Sequence, residues 1–277
     1  MKPNRREPIM RRILVALDAT PHSQAALEAA AELAASLGAE LVGVYVEDVN
    51  LLRLAQLPFA RETRFPAAAT ARLELPEVEQ RLREQARRAQ AELARLAERK
   101  ALRYSFQVRR GQVGNTLIEF EADLLVLGRV SHALTGAARL GSTARAALVS
   151  SGQAVLLTDQ STLQGGPITL LFDGSAAAER ALAVAEVLAE PAGPLHLLLW
   201  CGGERSAGQL QTQVRELLST ASRVEVTYHA VTEANLLPVL LGETAGLLIL
   251  ADPGGKVTDE ELELLLNRLD RPVLILR

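Results

Sequence analysis

ILVALDATPHSQAALEAAAELA, from Ile13 to Ala34, reads as a buried strand running directly into a helix. Ile13 to Leu17 is a short, unbroken apolar run rich in branched residues, the pattern of a strand covered on both faces, as parallel strands usually are. Thr20 stands where a hydroxyl can cap the next helix, and Pro21 takes the first helical position, where its missing N–H costs nothing. Alanines and leucines then recur at helical spacing until Gly38 ends the helix. The same phrase returns later. ITLLFDGSAAAERALAVAEVLA, from Ile168 to Ala189, aligns with it without gaps, and seven of the 22 positions are identical, Asp18 with Asp173 among them.

Further runs pair in the same order: Leu41 to Val46 with Leu195 to Trp200, Ala122 to Gly128 with Ala245 to Ala251, and AVLLT with PVLIL. A repeat of about 155 residues is too long for a solenoid unit, so it marks two copies of one domain, residues 1–160 and 161–277, joined by a linker at 159–166. Between the paired runs, residues 48–75 hold Pro58 and Pro66 with little periodicity and read as a long loop or insertion with a short helical turn. From Pro76 to about Lys100, Val78, Leu82, Ala86, Ala89, Leu93 and Leu96 form one apolar stripe on a charged helix. A strand near 104–109, a short helix near 115–121, a strand at 124–127, a helix from near Gly141 and a strand at 154–158 follow. Strand and helix alternate throughout, which predicts an α/β fold of two tandem doubly wound parallel sheets.

Composition narrows the function classes. The 277 residues are 48% hydrophobic and 23% charged, the balance of a globular protein, and a net charge of -3 offers no field that would hold a nucleic acid. The basic stretch at 81–99 is interleaved with acids, as a solvated helix face is. A lone cysteine, Cys201, rules out an internal disulfide and fits a reducing cytoplasm. The basic start is followed by only five apolar residues before Asp18, too few for a leader or a membrane span. The four histidines are scattered without metal spacing, and no G-x-S-x-G elbow is present.

Chemistry concentrates after the strand at 124–127. Gly128-Arg129-Val130-Ser131 is followed, nine residues on, by Gly141-Ser142-Thr143 at a helix start. Glycine lets a ligand approach the backbone, and N–H groups with hydroxyls at a helix N-terminus suit phosphate oxygens. Each residue also has a plainer reading. Gly128 can be a turn residue, Ser142 and Thr143 can cap a helix, His132 can be a solvated loop residue, and Asp18 can serve only the start of the next helix.

Here the sequence resembles the universal stress protein family, in a tandem two-domain form, over nearly the whole chain. ATP-binding members carry Gly, two residues, Gly, nine residues, then Gly and Ser or Thr. Gly128, Gly141 and Ser142 match, with Ser131 in the place of the second glycine. The resemblance implies an adenine nucleotide alpha hydrolase-like fold with five parallel strands per domain in the order 3-2-1-4-5, and ATP, with magnesium as a companion of its phosphates. It places Asp18 near the adenine and ribose, Val46 in the wall of the adenine pocket, and Ala16, Gly128, Arg129, Ser131, Gly141, Ser142 and Thr143 in the same site. It also implies pairing of the two domains through their last strands, and pairing of two chains as a homodimer.

The second copy differs where the first has its motif. Ala251-Asp252-Pro253-Gly254 replaces Gly128 to Ser131, so a carboxylate stands for Arg129. The span from Ala251 to Val273 is 22 positions against 27 from Gly128 to Val155, and Trp200 takes the place of Val46. The expectation is nucleotide in the first domain only, and a role as sensor or regulator with a regulatory protein partner. No catalytic base is visible, so any ATP hydrolysis should be slow. Two rival readings are a nucleotide-free interaction protein that docks a partner on 48–75, and a slow ATPase.

Overall fold

The computed structural model describes residues 9–18, 20–64, 69–129, 140–150, 152–158, 163, 166–201, 206–218, 224–242, 246–251, 259–269 and 271–276. Strand β1 (Arg12–Leu17) leads into helix α1 (Pro21–Leu37), whose start and stop follow the sequence. The Thr20 hydroxyl accepts the Ser23 N–H, and Gly38 closes the helix with φ 66°, a left-handed conformation that favours glycine. The first half continues with β2 (Glu40–Asp48), α2 (Val49–Ala55), β3 (Arg61–Arg64), β4 (Ala69–Arg72), α3 (Leu75–Arg99), β5 (Tyr104–Gly111), α4 (Val113–Ile118), β6 (Leu124–Gly128), α5 (Ser142–Ser150) and β7 (Ala154–Thr158). The second half repeats the scheme with shorter connections: β8 (Ile168–Phe172), α6 (Ala176–Ala192), β9 (Leu195–Trp200), α7 (Ala207–Leu217), β10 (Val226–Val231), α8 (Glu233–Gly242), β11 (Leu247–Ala251), α9 (Asp259–Arg268) and β12 (Val273–Leu276).

Each half forms five parallel strands in the expected order, β5-β2-β1-β6-β7 and β10-β9-β8-β11-β12. The two do not remain separate sheets. Antiparallel pairing of β7 with β12 fuses them into one sheet of ten strands. Helices α1, α3, α6 and α7 bury one face and α4, α5, α8 and α9 the other. The stripe on α3 is buried as its spacing predicts, from Val78 through Leu96.

The seam has an internal two-fold. Val155 and Val273 are counterparts in the repeat, so Leu156 matches Leu274 and Leu157 matches Ile275. In the ladder Leu156 faces its own counterpart Leu274, while Leu157 faces Val273 and Val155 faces Ile275. An isologous contact has this self-complementary form, here within one chain.

Residues 48–75 hold more structure than the sequence reading gives them. Asp48 caps α2 by accepting the Asn50 N–H at 2.8 Å, and β3 and β4 form an antiparallel hairpin. RETR and ATAR lack the apolar alternation that would mark strands, so backbone pairing carries the hairpin without a sequence signal. The linker at 159–166 lies outside the described residues except for Leu163 and Gly166.

Candidate functional site

In an open parallel sheet the natural crevice lies beyond the carboxyl ends of the strands, where the strand order reverses. In the first half that point lies between β1 and β6, and a crevice of about 240 Å³ opens there. Ala16, Val44, Val46, Val113 and Leu127 give it an apolar wall. Asp18, Thr20, Ser142 and Thr143 give it a polar end. Ala16, Asp18, Val46, Gly128, Gly141, Ser142 and Thr143, all singled out in the sequence, line this one space. Ser131 and His132 lie outside the described residues.

The local geometry separates ligand-facing roles from structural ones. Asp18 folds its own turn: Oδ1 accepts the Thr20 N–H at 2.8 Å and the Thr20 hydroxyl at 2.5 Å, while the Asp18 N–H donates to Ser23 Oγ at 2.9 Å. Its twin Asp173 accepts the Ser175 N–H at 2.9 Å in the same way. The shared aspartate is therefore first a turn-former at the start of each first helix. Gly128 also has a packing reason, because a Cβ there would lie 3.0 Å from His22 Cβ, and the first turn of α1 rests on this bare backbone.

Helix α5 starts differently from α1 and α6, which are capped by the hydroxyls of Thr20 and Ser175. The residue before it is Gly141, which brings no side-chain oxygen to the first N–H groups of the helix. Gly141, Ser142, Thr143 and Ala144 of this first turn all line the crevice, and N–H groups with hydroxyls at a helix start suit an anion.

Arg129 departs from the expectation that it faces phosphate. Its side chain is 6% exposed, and Nη2 donates to the Arg271 carbonyl at 2.5 Å, across the seam from the crevice. The reason is the strand order: β6 ends beside β7, whose other neighbour is β12, and the side chain after Gly128 extends that way. The Arg129 backbone still serves the crevice. Its carbonyl accepts the Gly141 N–H at 3.2 Å, and its own N–H donates to the Thr158 carbonyl at 2.7 Å. Val113 and His22 also line the site, and no motif marks either one.

With this geometry in place, comparison with known proteins is decisive about the family. The model of the universal stress protein family matches residues 10–158, more than half of the chain and the whole of the crevice. The chain belongs to the universal stress protein family. A universal stress protein from Archaeoglobus fulgidus is similar in fold at a TM-score of 0.68 and 16% identity, covering 96% of both chains. A protein of unknown function from Pseudomonas aeruginosa is similar at 0.53 and 16% identity, over 96% of this chain and 92% of its own. A universal stress protein solved in complex with cAMP covers 55% of this chain at 20% identity and a TM-score of 0.37. Among curated proteins no match was found.

The family match of this universal stress protein ends at Thr158, the last residue of β7. The register shows the substitution directly. Leu17 pairs with Tyr45 and Phe172 with Leu199, so Trp200, the last residue of β9, stands where Val46 stands in β2. Trp200 is half-buried against the core of its face, joined there by Leu236 and Leu237 of α8. Asp252, the counterpart of Arg129, lies outside the described residues. Among the described residues no three His, Cys, Asp or Glu side chains gather as a metal site, and no helix is long and apolar enough to cross a membrane.

Beneath the β1 turn, Tyr45 is 3% exposed and its hydroxyl donates to Gln85 Oε1 at 2.8 Å. Burial pushes its pKa up to about 12, and the charges of Glu47 and Asp18 add to the rise. Because the folded value exceeds the ordinary 10.0, this contribution to stability is intact below pH 10 and is lost as pH climbs through about 12. An alkaline absorbance titration is expected to show a late tyrosine phase that Tyr45→Phe removes. An unchanged titration in that variant would contradict the assignment.

Proposed function

We propose that this universal stress protein binds ATP in the first-half crevice only and works as a stress-response sensor or regulator. The observation that carries the reading is convergence. An apolar wall ending at Val46, the bare backbone at Gly128 and the start of α5 at Gly141-Ser142-Thr143 meet in one crevice at the switch point of the sheet. The wall suits a purine, and the N–H groups and hydroxyls suit phosphate oxygens. Magnesium would arrive with the phosphates; Asp18 is the one carboxylate among the described lining residues, and its Oδ1 is already engaged by Thr20. That engagement also makes Asp18 a poor general base, which favours retention of the nucleotide over rapid hydrolysis.

The division proposed is a nucleotide domain at 1–160 and a partner domain at 161–277 whose own crevice is filled by Trp200. Two such chains pairing as a homodimer in the cytoplasm, with a regulatory protein as reader of the bound state, complete the reading. Mass spectrometry of small molecules released by denaturing the purified protein is expected to find an adenine nucleotide. No released nucleotide, together with no binding at millimolar ATP, would overturn the proposal.

A further inference from the structure

The flanks of the first-half anion seat are tied to the second half by side chains of that half. Leu140, directly before Gly141, is 5% exposed, and its N–H donates to Asn267 Oδ1 of α9 at 2.9 Å. One turn into α5, Arg145 forms an ion pair with Glu263, four residues before Asn267 on α9. On the other side of the loop, the buried Arg129 side chain reaches the Arg271 carbonyl, and Arg271 in turn donates to the Leu240 carbonyl. The residues that carry the seat's backbone, Arg129 and Leu140, thus both end on the partner domain.

The internal two-fold shows which of these contacts are a by-product of symmetry. Arg145 and Glu263 lie the same ten places before Val155 and Val273, so they are counterparts that meet across the seam. Their pairing is what a two-fold produces, and as an exposed pair it contributes little. Asn267 lies six places before Val273, and its counterpart six places before Val155 is Val149, which has no acceptor and is 59% exposed. The Asn267 bond to Leu140 therefore has no mirror in which Val149 serves the second half. The half that keeps the glycine seat receives this support from its twin.

We infer that Asn267 is a positioning residue for the first-half nucleotide site, and that the second domain, having filled its own crevice, acts as a scaffold in cis for its twin. The inference rests on the nucleotide reading given above. A buried N–H must have a partner, and fixing Leu140 fixes the next residue, Gly141, whose N–H is already held by the Arg129 carbonyl. The helix start that receives phosphate is then set before the ligand arrives, which lowers the cost of ordering it on binding.

The test uses the full chain. Asn267→Ala is expected to weaken ATP binding about tenfold, the scale of one lost hydrogen bond to a buried group, and to speed hydrogen exchange of the segment 140–148 without nucleotide. Asn267→Asp, which retains an acceptor, is expected to restore slow exchange there. Exchange elsewhere in the first half should match the wild-type chain, which separates positioning from general unfolding. Wild-type affinity in Asn267→Ala, or unchanged exchange at 140–148, would overturn the inference alone. Failure of the wild-type chain to bind ATP at all would overturn the nucleotide reading, and the inference with it.

Discussion

Gly141→Val is expected to abolish the thermal stabilisation that ATP gives the wild-type chain. At a nucleotide concentration one hundred times Kd, binding stabilises a protein by about 2.7 kcal/mol, and in a chain of this size that raises Tm by roughly 5–10 °C. Gly141 is buried at the head of α5, with its N–H on the Arg129 carbonyl and its carbonyl accepting the Arg145 N–H at 2.9 Å. Gly141 lines the crevice beside Gly128, Ser142 and Thr143, so a branched side chain there is expected to take up the space a phosphate would need. Melting with and without ATP reads the effect. The double variant Ser142→Ala/Thr143→Ala guards against misfolding, because it removes two hydroxyls from the crevice while leaving the backbone alone. It should keep the wild-type melt without nucleotide and lose part of the shift. A Gly141→Val protein that ATP stabilises as well as it does the wild type would contradict this placement of the phosphates.

Shortening the residues on the internal two-fold should be the most damaging change away from the crevice. Leu156 and Leu274 are both fully buried and stand opposite each other in the β7–β12 ladder. Leu156→Ala and Leu274→Ala should each cost about 2–5 kcal/mol, since each removes buried methyl groups from a site with little room to collapse. Because the two side chains share one neighbourhood, the double variant should depart from additivity by about 0.5 kcal/mol or more. Denaturant unfolding of the two single variants and the double variant measures both quantities. Costs below about 1 kcal/mol for each would mean that the seam is not a tightly packed core.

Much of the fold was legible because its signals are local. Thr20, Pro21 and Gly38 bound α1 by the chemistry of caps, the Val78 to Leu96 stripe marks the buried face of α3, and the unbroken apolar runs mark strands covered on both sides. The repeat then gives the same order of elements twice. What was illegible is set by contacts distant in sequence. The β3–β4 hairpin has no apolar alternation, and the destination of the Arg129 side chain is decided by a strand some 140 residues away. The aspartate shared by both halves shows the limit of motif reading at the site. Asp18 and Asp173 hold their own turns alike, so their identity follows from the backbone before any ligand is considered. The asymmetry between Val46 and Trp200 was legible, because it needs only the repeat and a comparison of side-chain size.

Inequality between the halves gives the second half a distinct place in the molecule. It contributes five strands, the seam and the α9 contacts to a chain whose first half holds the proposed nucleotide crevice. A calorimetric titration of the full chain, freed of bound nucleotide, with ATP counts the seats directly. One equivalent per chain is the expected stoichiometry, and two equivalents, or one that survives Gly141→Val and vanishes when Trp200 is altered, would contradict it.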